Sequence, residues 1–190
     1  ISSQQRQRDE INKLKSSFNG RFIFGSLART EKFNSLEFVT AVANIVERCE
    51  ESIFIYTGAE DSALIRQVFA SRGLSNSAVY VGWVDTELYC QALDVFLETF
   101  PFGCGVTGAQ AVDLGTSTIS LWCRETLPQY YFESAAEAAS ACEHWVVVQT
   151  ASEFVKAAIG RYDDRASLKT APINRGTLSR LDSVKSANFY

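Results

Sequence analysis

Residues 94–123 read DVFLETFPFGCGVTGAQAVDLGTSTISLWC, and this stretch predicts a strand, a glycine-rich turn, a helix and a second strand. The first seven residues are mostly apolar, as in a buried strand, and the sequence PFGCG then interrupts them. Small and apolar residues follow at helical spacing over residues 106–114, and Gly115 is well placed to end that helix. A turn of this kind leaves backbone N–H groups unpaired where the helix begins, and such groups form an anion site that suits phosphate.

Working outward from this stretch, strands and helices alternate over most of the chain. This alternation predicts a parallel sheet of about five or six strands, doubly wound in an α/β fold with helices on both faces. In such folds ligands bind beyond the carboxyl ends of the strands. Further strands are predicted at residues 21–27, 52–57, 78–83, 118–122 and 146–149, and helices at 34–49, 61–73, 85–93, 130–144 and 152–160.

The predicted helix starts rest on capping residues. Asn34, with Glu37 three residues later, resembles a capping box, and Asp61 and Ser152 are the other predicted caps. Residues 1–20 are polar and are interpreted either as an N-terminal helix or as a linker, and the tail over residues 161–190 is expected to be helical in part.

Composition excludes several classes of protein. The 190 residues are 46% hydrophobic and carry a net charge of −4, which favours one well-packed domain and argues against binding a nucleic acid polymer. Five cysteines without a CxxC motif argue against a disulfide framework and a zinc site. No apolar run is long enough for a transmembrane segment and no signal peptide is recognisable, so we expect a cytoplasmic location. The absence of methionine indicates a fragment of a longer protein.

Four segments together carry a resemblance to a known family: FGSLARTEKFN at 24–34, YVGWV at 80–84, residues 94–121, and RETL at 124–127. They resemble the C-terminal, nucleotide-sugar-binding half of GT-B glycosyltransferases, most closely the O-GlcNAc-transferase-like group that includes bacterial protein glycosyltransferases. The resemblance covers residues 21–190 and implies a Rossmann-like nucleotide-sugar-binding domain over that range.

The resemblance also implies a function. The domain would bind a UDP-sugar as donor substrate for a metal-independent, inverting glycosyltransferase that needs no cofactor. The acceptor would be a protein or a glycan, and the acceptor-side residues would lie in a missing N-terminal domain, so no catalytic residue is assigned here and the chain alone would be inactive. The implied roles are phosphate binding by Gly103, Gly105, Val106, Thr107 and Gly108, phosphate neutralisation by Arg29 or Lys32, base contacts by Trp83 and Val84, and ribose contacts by Gln110.

Several positions depart from the family pattern. Gln110 is an amide where these enzymes often have a carboxylate, Gly105 replaces a histidine, and Val106 replaces a residue with a hydroxyl group. Glu98 stands where the family has aspartate, and we expect it to have a scaffold role. These departures keep an alternative open, namely a non-catalytic doubly wound module that binds a nucleotide or another protein.

Overall fold

The computed structural model of the protein describes residues 2–122 and 142–166. Short 3-10 helices at Thr30–Phe33 and Ser75–Ser77 precede α2 and β3. In chain order the longer elements are α1 (Ser3–Ser17), β1 (Phe22–Ser26), α2 (Leu36–Arg48), β2 (Ser52–Tyr56), α3 (Ala63–Ser71), β3 (Ala78–Tyr80), α4 (Thr86–Ala92), β4 (Val95–Leu97), α5 (Val106–Asp113), β5 (Ser117–Leu121), β6 (Trp145–Val148) and α6 (Ala151–Asp163).

The strands form one parallel sheet in the order β3-β2-β1-β4-β5-β6. The chain therefore starts in the middle of the sheet, winds outward to β3, and returns to place β4 beside β1. This order is that of a doubly wound Rossmann-like fold, and its topological switch point lies between β1 and β4. The predicted α/β fold and its number of strands are confirmed.

Helices cover both faces of the sheet because side chains along each strand alternate between the faces. Phe24 and Phe54 face a large core under α2, α3 and α6. Ile23 and Ile53, their neighbours in the chain, face a smaller core that includes buried residues of α4 and α5. The strands at the centre of the sheet are thus buried from both sides.

All three predicted N-caps are wrong, because in each case a residue one or two positions away caps the helix. Asn34 ends the preceding 3-10 helix, so the Ser35 side chain caps α2 instead. The cap of α3 is Ser62 rather than Asp61, because the Asp61 carboxylate accepts hydrogen bonds from the Tyr56 hydroxyl and the Arg66 guanidinium.

The cap of α6 is Thr150 rather than Ser152, and a capping box with Glu153 fixes it. The helix continues through Gly160, where an end was predicted. The strands β3 and β4 are also shorter than predicted, with three residues each.

Of the two interpretations of residues 1–20, a helix or a linker, the structure has the helix, α1. The Lys15 ammonium of α1 lies 2.7 Å from the carboxylate of Asp94, the residue before β4. The boundary near residue 20 stays a prediction. The predictions for residues 123–141 and 167–190 lie outside the described residues, and residues 142–144, the described end of the predicted 130–144 helix, are not helical. None of the helices in the described ranges combines the length and apolar character that crossing a membrane requires.

Candidate functional site

The connections that follow β1 and β4 meet at the carboxyl edge of the sheet. The buried Ser26 hydroxyl at the end of β1 donates a hydrogen bond to the Leu97 carbonyl oxygen at the end of β4. Beyond this link, the Lys32 ammonium of the first connection donates to the carbonyl oxygen of Gly103 in the second. The structure thus brings together two segments that are about 70 residues apart in the sequence, at the position where doubly wound folds bind ligands.

Internal hydrogen bonds hold the turn between β4 and α5 in place. The Thr99 hydroxyl donates to the Phe102 carbonyl oxygen at 2.7 Å, and the Cys104 N–H donates to Glu98 Oε1 at 3.1 Å. At Gly105 the backbone has φ of 62° and ψ of −123°, a combination that residues with a side chain rarely adopt. A glycine is therefore required at the last position before the helix.

The start of α5 presents free hydrogen-bond donors. Gly105 has no side chain to cap the helix, and the N–H groups of Val106, Thr107 and Gly108 have no acceptor within it. Gly105 and Val106 are exposed, Thr107 is half-buried and Gly108 is buried, so the helix is open to solvent at its first residues. These donors and the positive end of the helix dipole favour an anion here.

The connection after β1 carries two cations, Arg29 and Lys32, and Lys32 contacts this turn through the Gly103 carbonyl oxygen. Arg29 is exposed, directly before the 3-10 helix, and Lys32 is half-buried within that helix. The connection is fixed by Thr57, whose hydroxyl oxygen accepts from the Ala28 N–H at 2.8 Å, and by Thr30, whose hydroxyl donates to the Glu60 carbonyl oxygen at 3.0 Å. The positive charges are therefore carried by an anchored segment.

The residues predicted to contact a base lie on another connection, whereas the residue predicted to contact a ribose lies on α5 itself. Trp83 and Val84 follow β3, the outermost strand, on the same edge of the sheet. The Trp83 side chain is 68% exposed, whereas Val84 packs against the core beneath α4 and α5. Gln110 is half-buried in the second turn of α5. Their roles stay predictions, as do those of the phosphate-binding residues.

Sequence reasoning did not predict how closely Glu98 supports the turn. Its side chain is only 8% exposed, and burial raises the pKa of its carboxyl group. Burial likewise raises the pKa of the Cys104 thiol to about 12, with the Glu98 carboxylate as a second cause, so this thiol is neutral at physiological pH. The sequence signal for a buried glutamate beneath the turn is a glutamate that directly follows an apolar strand and is followed by three closely spaced glycines, at 103, 105 and 108.

By sequence alone the chain matches no protein-family model and no curated protein. Its structure is similar to several solved structures. A mutant of the Thermobaculum terrenum O-GlcNAc transferase superposes with a TM-score of 0.65 and 20% identity, over 89% of this chain and 33% of that protein.

Two further structures contain a nucleotide. The pneumococcal O-GlcNAc transferase GtfA, solved with UDP and GlcNAc, has a TM-score of 0.56 and 14% identity over 87% of this chain and 35% of its own. Anabaena HepE, solved with UDP, has a TM-score of 0.58 and 16% identity over 95% and 49%.

The chain spans between a third and a half of the length of these proteins. Such coverage agrees with the resemblance to one half of a two-domain enzyme. The chain therefore has the Rossmann-like fold found in GT-B glycosyltransferases, including O-GlcNAc-transferase-like proteins, and the resemblance is confirmed at the level of the fold.

Proposed function

We propose that this chain is the donor-binding half of a glycosyltransferase and that it binds the diphosphate of a UDP-sugar at the turn between β4 and α5. The observation that carries the proposal is the set of free N–H groups of Val106, Thr107 and Gly108 at the switch point of the sheet. The positive charges of Arg29 and Lys32 lie on the neighbouring connection. Two proteins of similar fold were solved with UDP, which supports the choice of nucleotide.

This arrangement suits catalysis by positioning and electrostatic stabilisation. A glycosyl transfer leaves negative charge on the diphosphate, and fixed N–H dipoles with a neighbouring cation stabilise that charge without reorganising. The proposal needs no metal ion or cofactor to hold the leaving group. An inverting outcome and a cytoplasmic location are part of the same proposal.

A second half of the enzyme would close the site and supply the acceptor-side residues. The exposed large apolar side chains of the described ranges lie either on connections at the carboxyl edge or on the first residue of a helix that follows one, where such a half would pack: Leu36, Trp83, Phe102 and Val106. Exposed apolar groups concentrated on one side are typical of a surface that contacts a partner. We therefore expect the chain alone to bind UDP without transferring sugar to a protein or a glycan.

Calorimetric titration of the chain with UDP tests the proposal. We expect a dissociation constant in the micromolar to millimolar range, with weaker binding of uridine, which lacks the phosphates, and of ADP, which has another base. No heat with UDP at several millimolar would instead support the alternative, a doubly wound module that has no nucleotide-sugar site. Sugar transfer by the chain alone would contradict the need for a second half.

A further inference from the structure

The Glu98 carboxyl group forms the inner side of the turn between β4 and α5. Its Oε1 atom accepts the Cys104 N–H at 3.1 Å. It is also so close to the backbone that a Cβ atom would lie 2.7 Å from it at Gly103 and 2.9 Å from it at Gly108. A side chain at either position would displace the carboxyl group, which thus lies directly beneath the turn and the first turn of the helix.

Several hydrogen-bond donors and one positive charge surround this carboxyl group. The Ser120 hydroxyl of β5 and the Trp122 indole donate hydrogen bonds, and Lys32 approaches from the connection after β1. The Ser120 oxygen in turn accepts the Trp145 indole N–H at 2.9 Å, which fixes its orientation. These contacts favour the ionised carboxylate, whereas burial opposes it more strongly, so the pKa of Glu98 is raised.

Two titratable groups among the described residues face Glu98. Lys32 is the cation, and Cys104 is neutral because of its own raised pKa. Ser120 and Trp122 do not titrate in the physiological range. Glu98 is therefore the carboxyl group at this site whose protonation can respond to an added negative charge.

We propose that Glu98 is the positioning residue of the turn and that its carboxyl group takes up one proton from solvent when a diphosphate binds on the outer side. This inference rests on the proposed function. A carboxylate and a diphosphate on opposite sides of one peptide layer repel each other and compete for Lys32. Protonation removes the repulsion, while the remaining carbonyl oxygen of the acid still accepts the Cys104 N–H and keeps the turn in place.

The consequence is a link between pH and nucleotide affinity. Above the pKa of Glu98 in the free protein, binding requires a proton from solvent, so the dissociation constant rises about tenfold for each pH unit. Glu98→Gln keeps the size of the side chain and its acceptor oxygen but cannot ionise. This variant therefore lacks that pH dependence and binds UDP more tightly than the native chain at the upper end of the pH range.

The test is calorimetric titration of the native chain and of Glu98→Gln with UDP between pH 5 and 9, in pairs of buffers with different ionisation enthalpies. The terminal phosphate of UDP itself titrates near pH 6, but it does so equally with both proteins. The difference in proton uptake between the two proteins therefore belongs to Glu98. We expect it to approach one proton, with affinities that diverge as the pH rises.

A second measurement does not depend on the variant folding. In the native chain labelled with ¹³C at glutamate carboxyl carbons, one resonance is expected to move from the ionised toward the protonated position on addition of UDP. Equal proton uptake by the two proteins, or labelled carboxyl resonances that do not move while UDP binds, would overturn the inference and leave the proposed function intact. No UDP binding by the native chain at any pH would instead refute the proposed function, and the inference with it.

Discussion

Replacing Thr107 with valine tests the phosphate assignment most directly. Thr107 is the second residue of α5, and its hydroxyl does not cap the helix, since the cap position is Gly105 and no side chain caps there. The substitution keeps the shape of the side chain and removes only the hydroxyl. A hydrogen bond from that hydroxyl to a charged phosphate is worth about 1.5–3 kcal/mol, so we expect the dissociation constant for UDP to rise by about ten- to a hundredfold.

The assay measures UDP affinity by calorimetry and the melting temperature of the ligand-free chain on the same preparation. We expect the melting temperature to change little, because the hydroxyl has no partner in the described structure that would be lost. Thr40→Val is the matched control, since Thr40 is also half-buried and helical but lies in α2. Unchanged UDP affinity in Thr107→Val, or an equal loss in the control, would refute the assignment of the hydroxyl to the phosphate site.

Three further predictions follow from the same geometry. Arg29→Gln removes an exposed charge from the connection after β1 and is expected to weaken UDP binding about tenfold or more by calorimetry. The control Arg48→Gln removes an exposed charge from the last residue of α2 and is expected to leave UDP binding unchanged; equal effects would argue against a phosphate contact. Gly105→Ala and Gly73→Ala both place a side chain at positive φ with no atom within 4 Å, so each is expected to cost about 1–3 kcal/mol in denaturant unfolding, but only Gly105→Ala should also weaken UDP binding. The raised pKa of Glu98 means that the folded chain holds this proton more tightly than the unfolded chain, where the pKa is about 4.3, so the free energy of unfolding should fall relative to that of Glu98→Gln as the pH rises above about 4 and level off above the folded pKa. A constant difference between the two unfolding curves across pH would contradict the burial argument.

The sequence by itself determined the fold class and the local structure of the turn. Apolar strands alternate with amphipathic helices along the chain. A parallel sheet with helices on both faces buries the strands and the apolar faces of the helices together. Within residues 94–123, the spacing of glycine and proline required a strand, a turn and a helix in that order, and the structure has all three. These features depend on neighbouring residues, which is why they could be predicted from a single sequence.

Helix boundaries were less predictable, because several residues near each start can serve as a cap. Asp61 and Ser62 both suit that role, and the choice of Ser62 depends on Tyr56 and Arg66, which engage Asp61. The isolated Gly160 permits a helix end but does not impose one. Such outcomes depend on contacts with other elements, which local sequence patterns do not encode.

Only the tertiary structure decided which residues form the candidate site. The strand order places β1 beside β4, although two other strands lie between them in the chain and their starts are more than 70 residues apart. Lys32 thereby reaches Gly103. The same packing buries Glu98 beneath glycines 103 and 108 and surrounds it with donors from β5 and beyond. The sequence identified the chemical groups, but their charge states and their proximity follow from burial and long-range packing, which exist only once the sheet is assembled.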